Sequence, residues 1–505
     1  MEAAHESQLT VRRLLFGRAG LRLSVALALA AGLVLRLWML KKFFEVNGDA
    51  LIYGGLAKNL LLHGHYALTV GSGEMYPTLI RLPGYPLFLA ACFRIFGMEN
   101  YASAAWVEIA LELVGCLLLA EFVGRIAAPS LKVGAAQCTL WLAALCPFTA
   151  IYAAQPLTEA PTLFVFALAL WAAGRFRDCP GRGNALCFTF AVCYAALLRP
   201  DGALIAVALA PALVAGLWRA GLDASGAEAP LDSAAIVRGL KPPPPSVSGA
   251  FRSLLRMGVV CALLALAPFA VWTWRNWTVF HVFEPLAPRL ATDPGEDPHG
   301  GWERWVKTWC LDFVSTYDIY WNVPDGQLDV GKLPARAFDS PAQRDETAAL
   351  AADYNRTFAL TPEIDARFAR LAAERVAADP LRFYVWLPLG RLADMWLRPR
   401  VENLPIDLDW WVYRRHHVET RFSWAYAGLN ALYLLLGIAG FCMRPRFWGC
   451  MLAYVVLRSA LLLTVEAPEA RYTVECFPIL FVLGGIGLYG VIGRASASLK
   501  RLRVS

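Results

Sequence analysis

The first residues of chemical interest stand in Asn47-Gly48-Asp49 and in the run Tyr76-Pro77-Thr78-Leu79-Ile80-Arg81-Leu82-Pro83-Gly84-Tyr85-Pro86. A carboxylate such as Asp49 can take the proton of an attacking hydroxyl, and a guanidinium such as Arg81 can hold a phosphate through charge-assisted hydrogen bonds. Each also has a plain reading. Asp49 precedes a run in which Tyr53, Leu56 and Leu60 recur at helical spacing, so it can serve as that helix's N-cap. Arg81 can snorkel to lipid headgroups. Glu159, in Leu157-Thr158-Glu159-Ala160-Pro161, stands at the end of an apolar run, where an ionised group is costly unless it faces a polar cavity. It either positions an acceptor, as a second catalytic carboxylate, or pairs with Arg199. Arg36 and Arg458 lie inside apolar runs and, by the same cost, are expected to point inward and pair.

The elements that must position these residues are set by a bilayer. The chain has 505 residues, 58% hydrophobic and 17% charged, with a mean hydropathy of +0.46, too apolar for a water-soluble enzyme of this length. Ten segments are apolar and long enough to read as spans: 21–40, 103–124, 133–153, 157–174, 184–198, 201–218, 256–277, 422–442, 447–465 and 473–492. With the N-terminus inside, the inner loops and tails collect Arg12, Arg13, Arg18, Arg125, Lys132, Arg175, Arg177, Arg182, Arg219, Arg444, Arg446, Lys500, Arg501 and Arg503, while the short outer loops hold only Arg199 and Arg471. The net charge of +7 is therefore topological and implies no nucleic-acid partner. Both termini are expected in the cytoplasm. Ala28-Leu29-Ala30 resembles a cleavage site, but the apolar run continues to Met39, as a signal anchor does.

This topology leaves two sizeable outer loops, 43–102 and 278–421, and an inner loop, 219–255, of linker composition around Lys241-Pro242-Pro243-Pro244-Pro245. The first outer loop reads as two interfacial helices. The second carries Trp302, Trp305, Trp309, Phe313, Tyr317 and Tyr320 at steps of three and four, an aromatic helix face that reads as an interfacial belt or, functionally, as a sugar-stacking surface. A further helix is expected over 361–378, with Thr361 as cap and Pro362 in its first turn. Most of the twelve cysteines fall in apolar stretches, and without any C-x-x-C they read as free thiols.

Six of the seven histidines (His63, His65, His281, His299, His416, His417) fall in outer segments, yet no metal-ligand spacing such as H-E-x-x-H occurs. The expectation is a chain without cofactor, a divalent metal being the alternative. Gly485-Ile486-Gly487-Leu488-Tyr489-Gly490 fits G-x-G-x-x-G but lies in an apolar span, where small residues serve helix packing. Asp407-Leu408-Asp409 looks like a nucleotide-sugar metal pair without the surrounding βαβ pattern.

Gly48-Asp49-Ala50 with Tyr53 and Ala57, Arg81-x-Pro83-Gly84-Tyr85-Pro86-Leu87 and Phe96-Gly97 together resemble the first-loop signature of polyprenyl-phosphate-sugar transferases of glycosyltransferase family 39. That family includes protein O-mannosyltransferases and lipid A aminoarabinose transferases. Leu157-Thr158-Glu159-Ala160-Pro161, Leu198-Arg199-Pro200-Asp201-Gly202, Trp274-Arg275-Asn276 and Glu469-Ala470-Arg471-Tyr472 extend the likeness. The resemblance implies a GT-C-type bundle and an inverting transfer with Asp49 as general base. It implies Arg81, Arg275 and Arg471 as donor-phosphate partners and Tyr53, Tyr85 and Arg199 as substrate contacts. Asp49 is followed by Ala50 where protein mannosyltransferases carry an acidic pair, and Arg81-Leu82-Pro83 stands where lipid A enzymes have Lys-Pro-Pro. The acceptor does not carry over.

The expected protein is thus an all-α polytopic membrane protein of about ten spans. It divides into a catalytic membrane module over 1–277, a periplasmic loop region over 278–421, and a C-terminal membrane segment with cytoplasmic tail over 422–505. Its setting would be a bacterial inner membrane, with the site on the outer face. Its partners would be a polyprenyl-phosphate sugar, a hydroxyl-bearing envelope acceptor and membrane lipids. The competing classes are a flippase for lipid-linked saccharides, which should show inverted repeats, and a polysaccharide polymerase. Reporter fusions at Gly226, Gln327 and Ser505 should read inside, outside and inside; a periplasmic signal at Ser505 would overturn the span count.

Overall fold

The computed structural model describes residues 18–71, 73–227, 248–288, 291–324 and 326–502; Arg12, Arg13, Arg503, Ser505 and the proline run at 242–245 lie outside them. The described residues are mostly helical. In order it forms α1 (Arg18–Phe43), α2 (Asp49–His63), β1 (Ala67–Thr69), β2 (Met75–Pro77), α3 (Gly84–Phe96), α4 (Tyr101–Ile126), α5 (Lys132–Ala144), α6 (Glu159–Asp178), α7 (Arg182–Leu198), α8 (Leu204–Ala227) and α9 (Ser248–Phe280). There follow α10 (Gly300–Lys307), α11 (Pro341–Tyr354), α12 (Pro362–Ala378), α13 (Leu387–Leu397), α14 (His417–Cys442), α15 (Trp448–Leu462) and α16 (Phe477–Leu502).

Each of the ten apolar segments is helical, but length and composition license fewer clear spans. Ala19–Phe43, Pro200–Trp218, Arg256–Phe280, His417–Cys442 and Ala470–Gly493 are long and apolar enough to cross a membrane, and Lys132–Ala144 with Pro147–Ala154 makes a sixth that bends by 43°. The protein is multi-pass on these helices alone. The 17-residue α7 and 15-residue α15 rise only about 25 and 22 Å, short of a hydrocarbon core about 30 Å thick. Helices α4 and α6 have the length, but α4 carries Glu108 and Glu112 and α6 begins on Glu159.

Two compact units emerge. The first comprises 1–287, 436–454 and 477–505; the second comprises 288–435 and 455–476, so the C-terminal segment is shared between them. In the first, α4 packs on α5 and α6, α6 on α7, and α16 on α5. The glycines of the G-x-G-x-x-G run are contact points here. A Cβ on Gly485 would meet Thr139 Oγ1 at 2.0 Å and one on Gly487 would meet the Leu436 carbonyl oxygen at 2.3 Å, so the run brings helices together. Inside the bundle Arg36 binds Glu112 at 2.5 Å and the Ala144 carbonyl at 2.8 Å.

The second unit overturns the belt reading of the aromatic stripe. Trp302, Trp305, Trp309 and Phe313 are buried, and the three tryptophans form a core with Tyr354, Phe368 and Leu371. The helical period does not persist along the stripe: α10 ends at Lys307, and Phe313–Ser315 and Thr316–Tyr320 form separate short turns. Spacing alone could not distinguish a face turned to lipid from one covered by α12, which carries Phe368 at a ring-centroid distance of 5.1 Å from both Trp302 and Trp305. Helix α12 itself spans Pro362–Ala378 as expected, with the Thr361 hydroxyl accepting from the Ile364 amide at 3.4 Å. All twelve cysteines are free, and burial pushes the Cys310 thiol up to about 12.

Trp305 is fully buried, so Trp305→Ala should destabilise this unit by about 3–5 kcal/mol, measurable as an early melting transition. An exposed belt residue would shift the transition by only a few tenths of that.

Candidate active site in the first loop

Helix α2 begins at Asp49, and Gly48 occupies the N-cap position with φ of +46°, a left-handed conformation that suits glycine. Asp49 is therefore in the first turn rather than the cap. Its carboxylate Oδ1 accepts a hydrogen bond from Arg81 Nη2 at 2.7 Å. The two side chains are about a quarter exposed, 25% for Asp49 and 23% for Arg81, so the pair is reachable by a ligand.

Arg81 is placed by the turn that carries it. A small hairpin precedes it, absent from the helical reading, with Ala67 opposite Pro77 and Thr69 opposite Met75. Asn59 of α2 ties this hairpin down, donating to the Ala67 carbonyl at 2.8 Å and to Thr69 Oγ1 at 3.0 Å. Leu79 and Leu82, on either side of Arg81, bury themselves with Trp272 of α9. The Tyr66 hydroxyl donates to the Arg81 carbonyl at 3.0 Å. Just beyond, Gly84 permits close contact with α7, since a Cβ there would meet the Leu197 carbonyl at 2.5 Å.

Arg275 belongs to this scaffold. Its Nη1 donates to the Thr78 carbonyl at 2.8 Å and its Nη2 to the Tyr66 carbonyl at 2.7 Å. The guanidinium lies 5.2 to 5.4 Å from the rings of Phe280, Trp272 and Tyr66. Expected as a phosphate partner, it clamps the backbone on which Arg81 rides.

Tyr53, one turn along α2 from Asp49, meets Tyr85 of α3 edge-to-face at 5.0 Å. Burial, and then the Asp49 carboxylate, push the Tyr53 phenol up to about 12, so at neutral pH it is a proton-bearing hydrogen-bond donor. The charges of Asp49, Arg81, Glu159 and Arg199 all act on that phenol. Glu159 is 2% exposed and pairs with Arg199 at 3.3 Å, while Asp201, not singled out from sequence, faces Arg199 Nε at 3.7 Å. The Tyr85 hydroxyl donates to Glu108 at 2.8 Å. Glu108 and Glu112 were also missed, although two glutamates four apart inside an apolar segment were a legible signal. Arg471 lies in the second unit, ion-paired with Glu469 and 5.7 Å from the Tyr472 ring. Arg458, likewise there, is paired with Glu475 at 3.4 Å.

No family profile and no curated protein match the chain. Among solved structures it is similar to "Crystal Structure of ArnT from Cupriavidus metallidurans bound to Undecaprenyl phosphate", at 14% identity over 92% of this chain and 77% of that one, with a TM-score of 0.36. The same protein's apo structure gives 14% identity, the same coverage and a TM-score of 0.34. A likeness of this degree says nothing of substrate or chemistry.

Arg275→Lys keeps the charge but replaces the two guanidinium nitrogens, one on each carbonyl, with a single ammonium. As a loop clamp it should lower stability by about 1.5–3 kcal/mol, the worth of charge-assisted bonds to backbone, read as a fall in melting temperature. An unchanged melting temperature would show that the clamp does not hold the loop.

Proposed function

We propose that this protein is a membrane glycosyltransferase of the GT-C type. It transfers a sugar from a polyprenyl-phosphate donor to a hydroxyl of an envelope acceptor, with inversion, on the outer face of a bacterial inner membrane. The observation that carries the reading is the accessible Asp49–Arg81 pair, two residues of the family-39-like signature held 2.7 Å apart from positions separated by 32 residues.

The pair supplies both halves of the chemistry. Before donor binds, Arg81 and Asp49 neutralise each other. A lipid-linked phosphate offers Arg81 a second anion and bidentate geometry, and as the guanidinium turns to it the Asp49 carboxylate becomes available as a base. The acceptor oxygen attacks the anomeric carbon from the face opposite the phosphate. The bond from that carbon to the phosphate oxygen breaks, its electron pair leaving on the phosphate, and the hydroxyl proton passes to Asp49. Arg81 stabilises the charge that develops on the leaving oxygen. Protonated Tyr53 can donate a hydrogen bond in the same place, and Glu159 holds Arg199 to the site.

In Asp49→Asn the side chain stays nearly isosteric but cannot take a proton. The lost ion pair is partly exposed and contributes no more than about 1 kcal/mol to stability. Protein level and melting temperature should survive, while transfer from a synthetic polyprenyl-phosphate sugar falls by about two to four decades, the usual worth of a positioned base. Turnover near that of the wild type would remove Asp49 from the mechanism.

A further inference from the structure

The segment before α14, in the second unit, folds back on that helix's first turn and gathers four ionisable side chains. The His416 side chain is nine-tenths buried, at 10% exposure. Its Nδ1 lies 3.3 Å from Asp407 Oδ2 and 3.5 Å from Glu419 Oε2. On the other edge of the ring, Nε2 is 3.0 Å from Asp409 Oδ1, but outside hydrogen-bonding geometry. One ligand atom from each of Asp407, His416 and Glu419 lies within 4.8 Å of the other two. The loop is fixed by Thr420, whose hydroxyl bonds the carbonyls of Trp410 and His416.

These distances are within ion-pair reach of a protonated His416, but two carboxylates then compete for one Nδ1 proton. A charge-assisted N–H···O bond is about 2.7–2.9 Å long, and a single Nδ1 has one proton at most to share between two carboxylates at 3.3 and 3.5 Å. Arg415 pairs with Asp409 at 3.2 Å. Asp407 and Glu419 are left on the Nδ1 edge, with the Asp407 amide donating to Glu419 Oε2 at 3.3 Å. Ligand atoms each about 2.0–2.2 Å from a tetrahedral zinc lie about 3.3–3.5 Å from one another, which matches both spacings.

We propose that Asp407, His416 and Glu419 form a site for a divalent cation of the zinc class, with His416 ligating through Nδ1. Two carboxylates and one imidazole neutralise a dication and leave a fourth position for water. Asp409 faces the free ring nitrogen at 3.0 Å and would become the outer partner of a metal-bound histidine once a small turn of the ring aligns that N–H with its carboxylate, and Arg415 holds Asp409. The Asp407-Leu408-Asp409 pair thus binds metal without any nucleotide-sugar fold, one residue as ligand and the other behind the histidine. The cation would bind the loop to the start of α14. Such a cation departs from the expectation of a chain without cofactor.

The test uses full-length protein purified in detergent through a tag without histidines, stripped with EDTA, incubated with Zn²⁺ and desalted, with zinc measured by mass spectrometry. Wild type should retain about one zinc per chain more than Asp407→Asn/Glu419→Gln, and Asp409→Asn should keep that zinc with affinity weakened about 10–100-fold, as an outer partner does. Added Zn²⁺ should raise the melting temperature of the wild type and not of the double variant. Equal zinc in wild type and double variant, or none in the wild type, would overturn the site. The double substitution changes two partly exposed side chains and leaves the buried imidazole in place.

Discussion

A guanidinium and a carboxylate from separate elements meet at the first loop, and much of the surrounding structure serves to bring them there. Asp49 is fixed by the start of α2, a rigid element. Arg81 lies on an irregular turn, and irregular backbone holds a side chain only when its own polar groups and flanking residues are tied down. Four ties do this: Asn59 on the hairpin, Tyr66 on the Arg81 carbonyl, Arg275 on the carbonyls of Thr78 and Tyr66, and the burial of Leu79 and Leu82 on Trp272. The arginine that reaches outward depends on another arginine that does not.

The same economy governs charge inside the bundle. An unpaired ion in an apolar interior is far more costly than a paired one, and Arg36 is buried in an ion pair with one carboxylate oxygen of Glu112. Glu108 is buried just above, bonded to Tyr85, whose ring in turn packs on Tyr53. A continuous set of contacts thus runs from the bundle interior to the loop, Glu108 to Tyr85 to Tyr53 to the first turn of α2. A site built on such a support keeps its geometry without relying on the loop alone.

The residues whose reading failed show what a sequence can carry. Asp49, Arg81, Tyr53, Tyr85, Glu159 and Arg199 were legible from the family-39-like motifs that carry them, and the structure pairs Asp49 with Arg81, Tyr53 with Tyr85 and Glu159 with Arg199. Arg275 was legible as a cation of the site, while its bonds to the carbonyls of Thr78 and Tyr66 were not, since they join residues some 200 positions apart. The tryptophan stripe of α10 gave its periodicity and not its partner; the covering helix α12 lies some sixty residues further on, a long-range contact no local pattern encodes. Gly48 rather than Asp49 took the cap because the preceding turn needs positive φ. The hairpin escaped because strands of three residues are too short to show alternation.

The central claim is that Arg81 exchanges Asp49 for the phosphate of a lipid donor. Its most direct test is the dissociation constant of a polyprenyl phosphate, without sugar, for purified wild type and Arg81→Ala. Loss of a charge-assisted bond to phosphate should weaken binding by about one to two decades, with the melting temperature of the free protein little changed because the ion pair is partly exposed. Equal affinity in the two proteins would contradict the account and leave Arg81 as an anchor at the membrane surface.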